Sequence, residues 1–186
     1  GKTSVSKMLE KLGVHIIDTD VIAHEIVEPN SDCLNELVDY FGDSILNDDK
    51  TLNRKKLASI AFSDKQKTEA LSNITHKYIK AEVVKDINTT DAELVGIDGA
   101  VIIGSNVEPL CEFIVSVIAD KQSRITRIKT RDNITDEQAI QRINAQNDDE
   151  FYKENSMYII YNNGDIAQLE SDVVGLFNKI KGNSFE

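Results

Sequence analysis

Apolar positions along the chain follow two periods. Val5, Met8, Leu9 and Leu12 fall at i, i+3, i+4 and i+7, one face of a helix over residues 4–12, and Gly13 follows as its stop. The run "VHIIDTD" is short, β-branched and apolar, and ends on acids; it predicts a buried strand. "VIAHEIVEP" predicts a helix ended by Pro29. Leu34, Leu37, Val38 and Phe41 mark another helix, with Gly42 behind it. "NDDKTLN" is a turn, and Asn53 is placed to cap a helix carrying Leu57, Ile60 and Ala61. Two further helical patterns fill residues 64–87. Past a break at "NTTD", "ELVGIDG" and "EFIVSVIAD" read as strands. A helix runs from about Gln122 to Arg131, and "DNITDEQ" leads into the next, with Thr135 and Gln138 spaced as a capping box. "DDEFYKENS" is helical and "MYIIYNN" is a fourth strand. Residues 166–181 close the chain as an amphipathic helix, and the tail "KGNSFE" is expected to fray.

Short apolar strands separated by helices define an α/β chain with a parallel sheet buried on both faces. A long all-helical insert, residues 21–88, interrupts the alternation. At 186 residues the chain suits one domain carrying an inserted lobe. Hydrophobic residues make up 40%, enough for a core, yet no apolar run reaches the ~20 residues of a membrane span. Cys33 and Cys111 stand far apart and read as reduced thiols of a cytosolic protein. The net charge of -11 argues against broad binding to nucleic acid or anionic membrane. It leaves room for a phosphorylated small ligand held by a local cluster of cations, because distant charges are screened.

Four places carry candidate chemistry. "GKTS" at residues 1–4 matches the end of a phosphate-binding loop, G-x-x-x-x-G-K-[ST], followed by the required helix. Gly1 would admit backbone amides to phosphate, Lys2 would bridge the β- and γ-phosphates, and Thr3 would bind Mg²⁺. Three letters also fit an ordinary exposed helix start. Asp18 and Asp20 end a buried strand, where α/β sheets place ligands. They point the same way if the strand continues, and one could orient or deprotonate an attacking hydroxyl. The alternative is that Asp20 caps the next helix. Arg124, Arg127 and Arg131 line one face at i, i+3 and i+7, with Ile125 and Ile128 on another; Arg142 and Gln146 share a face of the next helix. A row of arginines on an acidic chain suits an anionic partner, or else a solvated face paired with Asp132, Asp136 and Glu137. Asp98 ends a strand where an acid can assist Mg²⁺, or is a turn residue before Gly99. His76 reads as partly buried between helices, and His15, His24 and the cysteines have no metal-ligand spacing.

Taken in order, "GKTSVSKMLEKLGVHIIDTDVIAHEIVEP", "DKTLNRKKLASIAF", "ITHKYI", "ELVGIDGAVIIG" and "RIKTRDNITDEQAIQRINAQ" resemble the dephospho-CoA kinase family over essentially the whole chain. The resemblance implies a P-loop kinase of three layers: a parallel nucleotide-binding core, a helical lobe at 21–88 for the CoA precursor, and a mobile helical lid at 122–150. It implies transfer of the γ-phosphoryl of ATP, with Mg²⁺, to the ribose 3′-hydroxyl of dephospho-CoA. Carried over by position, Gly1, Lys2, Thr3 and Ser4 belong to the ATP loop, with Arg127 also on the nucleotide. Asp20 acts on the hydroxyl, and Arg131 and Arg142 are lid arginines. Asp18, Arg54, His76 and Asp98 fall on the substrate side. A monomer or weak homo-oligomer in the cytoplasm is expected.

Three features depart from the family pattern. The glycine-rich half of the loop and the strand before it are absent, so about ten further residues are expected upstream. Lys77 follows His76 where the family has proline. Ala100 and Gly104 stand where a Pro and a Glu belong. Two other readings stay open: another small-molecule or nucleoside monophosphate kinase of this fold, and a non-catalytic nucleotide-binding protein that has lost its loop.

Overall fold

The computed structural model describes residues 1–183. In chain order its elements are α1 (Lys2–Lys11), β1 (His15–Asp18), α2 (Thr19–Glu25), α3 (Asp32–Phe41), α4 (Arg54–Ala61), α5 (Lys65–Thr89), β2 (Val95–Asp98), β3 (Val115–Ile118), α6 (Lys121–Asp132), α7 (Asp136–Asn144), α8 (Asp149–Glu154), β4 (Tyr158–Tyr161) and α9 (Ile166–Asn183). β1 pairs with β2 in one two-stranded sheet and β3 with β4 in another. The chain forms two compact units, Gly1–Ile16 with Cys111–Glu186, and Ile17–Leu110.

In the first unit β3 and β4 run parallel, with Val115 opposite Tyr158 and Ile118 opposite Tyr161. Val5, Ile160, Leu169, Val173 and Leu176 are buried together, and Met8, Leu9 and Leu12 pack against them. The predicted apolar face of α1 is thus the face that meets α9. A smaller core of Ile125, Ala139 and Ile143 joins α6 to α7. The turn joining these helices uses Asn133 in the left-handed region (φ 50), then the complete capping box of Thr135 and Gln138.

The second unit is mostly helical. Ile17, Ile22, Cys33, Leu37, Ile45, Leu57, Ile74, Val83 and Val107 form its core, and α5 packs against α2, α3 and α4. Asn53 caps α4 by accepting the amide of Lys56 at 3.0 Å, as its position predicts.

Several elements differ from expectation. The two helical patterns of residues 64–87 are a single 25-residue helix, α5. No Gly or Pro falls within it, and Lys77 supplies the backbone amide that a proline would remove. The strand read through residue 20 ends at Asp18, because the Asp18 side chain turns the backbone into α2. Helix α7 ends at Asn144, so Gln146 lies beyond it and shares no helical face with Arg142. Of the tail expected to fray, Lys181–Asn183 continue α9, and residues 184–186 lie outside the described residues.

Neither Cys33 nor Cys111 is in a disulfide. Among the described residues no helix is long and apolar enough to cross a membrane.

Candidate active site

The first unit carries the residues predicted to hold phosphate. Gly1 is the N-cap of α1, and its carbonyl accepts the amides of Ser4 at 3.1 Å and Val5 at 3.3 Å. Lys2 and Thr3 are exposed in the first turn. The helix start therefore presents a cation, a hydroxyl and the positive end of the helix dipole on one turn. Gly1 also packs closely: a Cβ there would lie 3.1 Å from Nδ2 of Asn162 and 3.2 Å from a methyl of Val117. Gly1, Ser4, Arg127, Asn162, Gly164, Asp165, Ile166 and Leu169 line a cavity of about 230 Å³.

That cavity includes residues the sequence reading left out. The segment "NNGD" has no predicted site role, yet Asn162 and Asp165 line the same cavity as Gly1 and Arg127. The segment is built to hold its shape. The Asn162 amide donates to the Ile118 carbonyl at 2.7 Å, the Asn163 side chain accepts the Asp120 amide at 2.8 Å, and Asp165 accepts the Gln168 amide at 2.9 Å. The available signal was its position, a turn-forming polar run just after an apolar strand.

The arginines divide into three situations. Arg127 lines the cavity beside Gly1, with no hydrogen bond or ion pair to a described residue. Arg131 and Arg142 share one counter-ion. Nε and Nη2 of Arg131 donate to Asp132 at 2.7 and 2.9 Å, and Nη1 of Arg142 donates to the same carboxylate. Hydrogen bonding from Arg131, with the charge of Arg142 added, holds the Asp132 carboxyl below its usual range. Arg124 points elsewhere. Its Nη2 donates to Asp149 at 3.0 Å and its buried Nε has no hydrogen-bond partner among the described residues. With Lys121, Gln146 and the start of α8 it lines a second, larger hollow.

The second unit carries the acids. Asp18 Oδ1 accepts the amides of Asp20 at 2.8 Å and Val21 at 3.1 Å. Asp18, not Asp20, is the helix cap, and its carboxylate is engaged in that role. The Asp20 carboxylate is exposed in the first turn of α2, with no hydrogen bond or ion pair to a described residue. Asp98 is half-buried at the end of β2. Arg54 opens α4, exposed and in no ion pair with a described residue. His76, expected between helices, is exposed on α5; its carbonyl accepts the side-chain amide of Asn106 at 2.7 Å. Burial there falls to its neighbours Ile74, Tyr78 and Ile79, which face the core.

Parallel strands with flanking helices, a Gly-Lys-Thr helix start and a pair of arginine-bearing helices define the class: an α/β phosphoryl-transfer fold. The family model described as dephospho-CoA kinase matches residues 1–168. The dephospho-CoA kinase of Listeria monocytogenes is 34% identical over 186 residues, spanning 98% of this chain and 93% of that protein. That of Lactobacillus johnsonii is 33% identical over 183 residues, spanning 97% and 92%. Among solved structures, the dephospho-CoA kinase from Campylobacter jejuni aligns with a TM-score of 0.68 at 28% identity, over 98% of this chain and 92% of that one. A Thermus thermophilus crystal structure shares the fold with a TM-score of 0.82 at 22% identity, over 96% and 91%. The chain belongs to the dephospho-CoA kinase family. The expectation that part of the phosphate loop is missing is not borne out by the likeness to these structures, which spans 96% and 98% of the chain.

Proposed function

We propose that this chain transfers the γ-phosphoryl group of ATP to the ribose 3′-hydroxyl of dephospho-CoA, giving CoA and ADP, the last step of CoA synthesis. Family membership supports the reaction. The observation that carries the assignment of roles is the division between two neighbouring acids. Asp18 is occupied as a helix cap, while Asp20 keeps its carboxylate open.

Phosphoryl transfer needs positioning and charge neutralisation more than covalent chemistry. Lys2 and the amides at the start of α1 hold the phosphates of ATP, with Gly1, Ser4 and Arg127 lining the nucleotide cavity. Asp20 aligns the 3′-hydroxyl and accepts its proton. Arg131 and Arg142 exchange Asp132 for the transferring phosphoryl group, and closure of the segment at 122–150 excludes water. The helical lobe at 21–88 binds dephospho-CoA, with Arg54, His76, Asp98 and the Asp18 corner on the substrate side.

Mg²⁺ takes oxygen ligands. The Thr3 hydroxyl fits as one of them, being exposed and without a hydrogen bond to a described residue. Bound there, the ion would neutralise charge on the β- and γ-phosphates. A cytoplasmic monomer or weak homo-oligomer suits a small-molecule kinase with no membrane-crossing helix among its described residues.

The relatives do not favour another acceptor. ADP release measured with dephospho-CoA, AMP, CMP and shikimate in parallel tests the reading. Turnover with dephospho-CoA alone supports it, and preference for a nucleoside monophosphate or shikimate overturns it.

A further inference from the structure

We propose that Thr19 is the positioning residue for Asp20, its hydroxyl fastening the start of α2 to the end of β2 over the bare Cα of Gly99. The proposal rests on Asp20 being the group that takes the acceptor's proton.

Two separate fixings hold this corner. Asp18 caps α2 through amides of the helix's own first turn. That bond starts the helix but ties it to nothing else. Thr19, the first residue of α2, supplies the external tie: its Oγ1 donates to the Asp98 carbonyl at 3.0 Å, across 79 residues of sequence. The bond is half-buried, so water competes with it poorly.

Gly99 makes room for that hydroxyl. A Cβ on Gly99 would fall well inside contact with Thr19 Oγ1, and 2.9 Å from Cδ1 of Ile102. Gly99 is not among the residues of positive φ, so its backbone would accept a side chain and only the space refuses one. Thr19 and Gly99 are thus complementary in volume. The hydroxyl sits where the missing side chain would be and bonds the carbonyl one residue earlier. With the bond gone, α2 keeps its cap and its packing against α5, but its first turn is no longer fastened to the end of β2. The carboxylate of Asp20, the next residue, makes no hydrogen bond or ion pair to a described residue that would hold its aim. A displacement of ~1 Å at a reacting group can cost up to a hundredfold in rate.

The experiment compares Thr19→Val, Thr19→Ser and Gly99→Ala with the wild type in the full chain. It measures kcat, both KM values and the melting temperature, and repeats Thr19→Val in an Asp20→Asn background. Thr19→Val removes the hydroxyl at constant shape and is expected to lower kcat about tenfold, with both KM values within about twofold. Thr19→Ser keeps the hydroxyl and should recover most of the loss, while Gly99→Ala should behave like Thr19→Val. In the Asp20→Asn background the Thr19→Val change should have no further effect, because its route is gone. Wild-type kcat in Thr19→Val, failure of serine to rescue, or an undiminished effect in the Asp20→Asn background would each overturn the proposal. Near-normal turnover of Asp20→Asn alone would instead remove Asp20 from its role, a separate failure.

Discussion

Asp18 accepts the backbone amide of Asp20 at 2.8 Å, so one acid of the "DTD" segment builds the corner on which the other is displayed. Removing the cap should cost stability and turnover together. Asp18→Ala is expected to lose about 1 kcal/mol of stability, whereas Asp18→Asn, an equally good cap, should lose little. Thermal melts of the two variants check this.

Asp20→Asn should leave the fold intact, since its carboxylate bonds no described residue. Turnover should fall by about a hundredfold or more while ATP binding survives. Steady-state kinetics beside a nucleotide-binding titration separate the two effects.

Arg142 shares the Asp132 carboxylate with Arg131. If these guanidinium groups are held there for use on phosphate, Arg142→Ala should lower kcat about tenfold or more and leave the KM for dephospho-CoA within about twofold. A rise in KM with kcat unchanged would place Arg142 on the acceptor instead. Arg142→Lys should rescue poorly, because an ammonium lacks the planar fork.

Glu36 joins α3 to α5, accepting from Lys77 Nζ at 2.5 Å and from the Tyr78 hydroxyl at 2.7 Å. The Lys77 bond, then the Tyr78 bond, holds the Glu36 carboxyl below its usual range, and the Glu36 bond raises Lys77. A depressed carboxylate stabilises the fold above its unfolded value of ~4.3 and loses that contribution as pH falls through the lower folded value. A raised ammonium contributes below ~10.4 and loses its contribution as pH rises through the folded value. The melting temperature of Glu36→Gln should therefore lie below wild type between about pH 5 and 10, with the gap closing on the acid side. A gap independent of pH would mean that packing, not charge, explains the difference.

Burial pushes the Cys33 thiol up to about 11, with the Glu36 carboxylate adding to the shift. Cys33 is 1% exposed. An alkylating reagent at neutral pH should leave it unmodified in the native protein and modify it after unfolding, as mass spectrometry of the labelled peptides would show.

Much of this architecture is legible in the sequence because local signals and tertiary packing agree. The apolar rows of α1 and α3, the Asn53 cap and the Thr135–Gln138 box each state an element and its boundary in a few letters. The failures come where a side chain acts on backbone at short range, or where one substitution removes a stop. Periodicity cannot tell that Asp18 ends β1 by capping α2. Nor does it show that α5 is continuous, since two helical patterns abut without a Gly or Pro to part or merge them. The candidate residues Lys2, Asp20 and the arginines stand out in the sequence by residue type. Asn162 and Asp165 do not, because they reach the cavity of Gly1 and Arg127 only through the turn after β4. The pairing of Thr19 with Gly99 joins residues 80 positions apart and depends on an absent side chain, which no local pattern reports.

The most direct test of the central claim is ³¹P NMR of the full chain incubated with ATP, Mg²⁺ and dephospho-CoA. The account predicts a new phosphomonoester resonance on the ribose 3′-oxygen that grows in step with ADP. Growth of inorganic phosphate and ADP with dephospho-CoA unchanged, or no consumption of ATP at all, would contradict it.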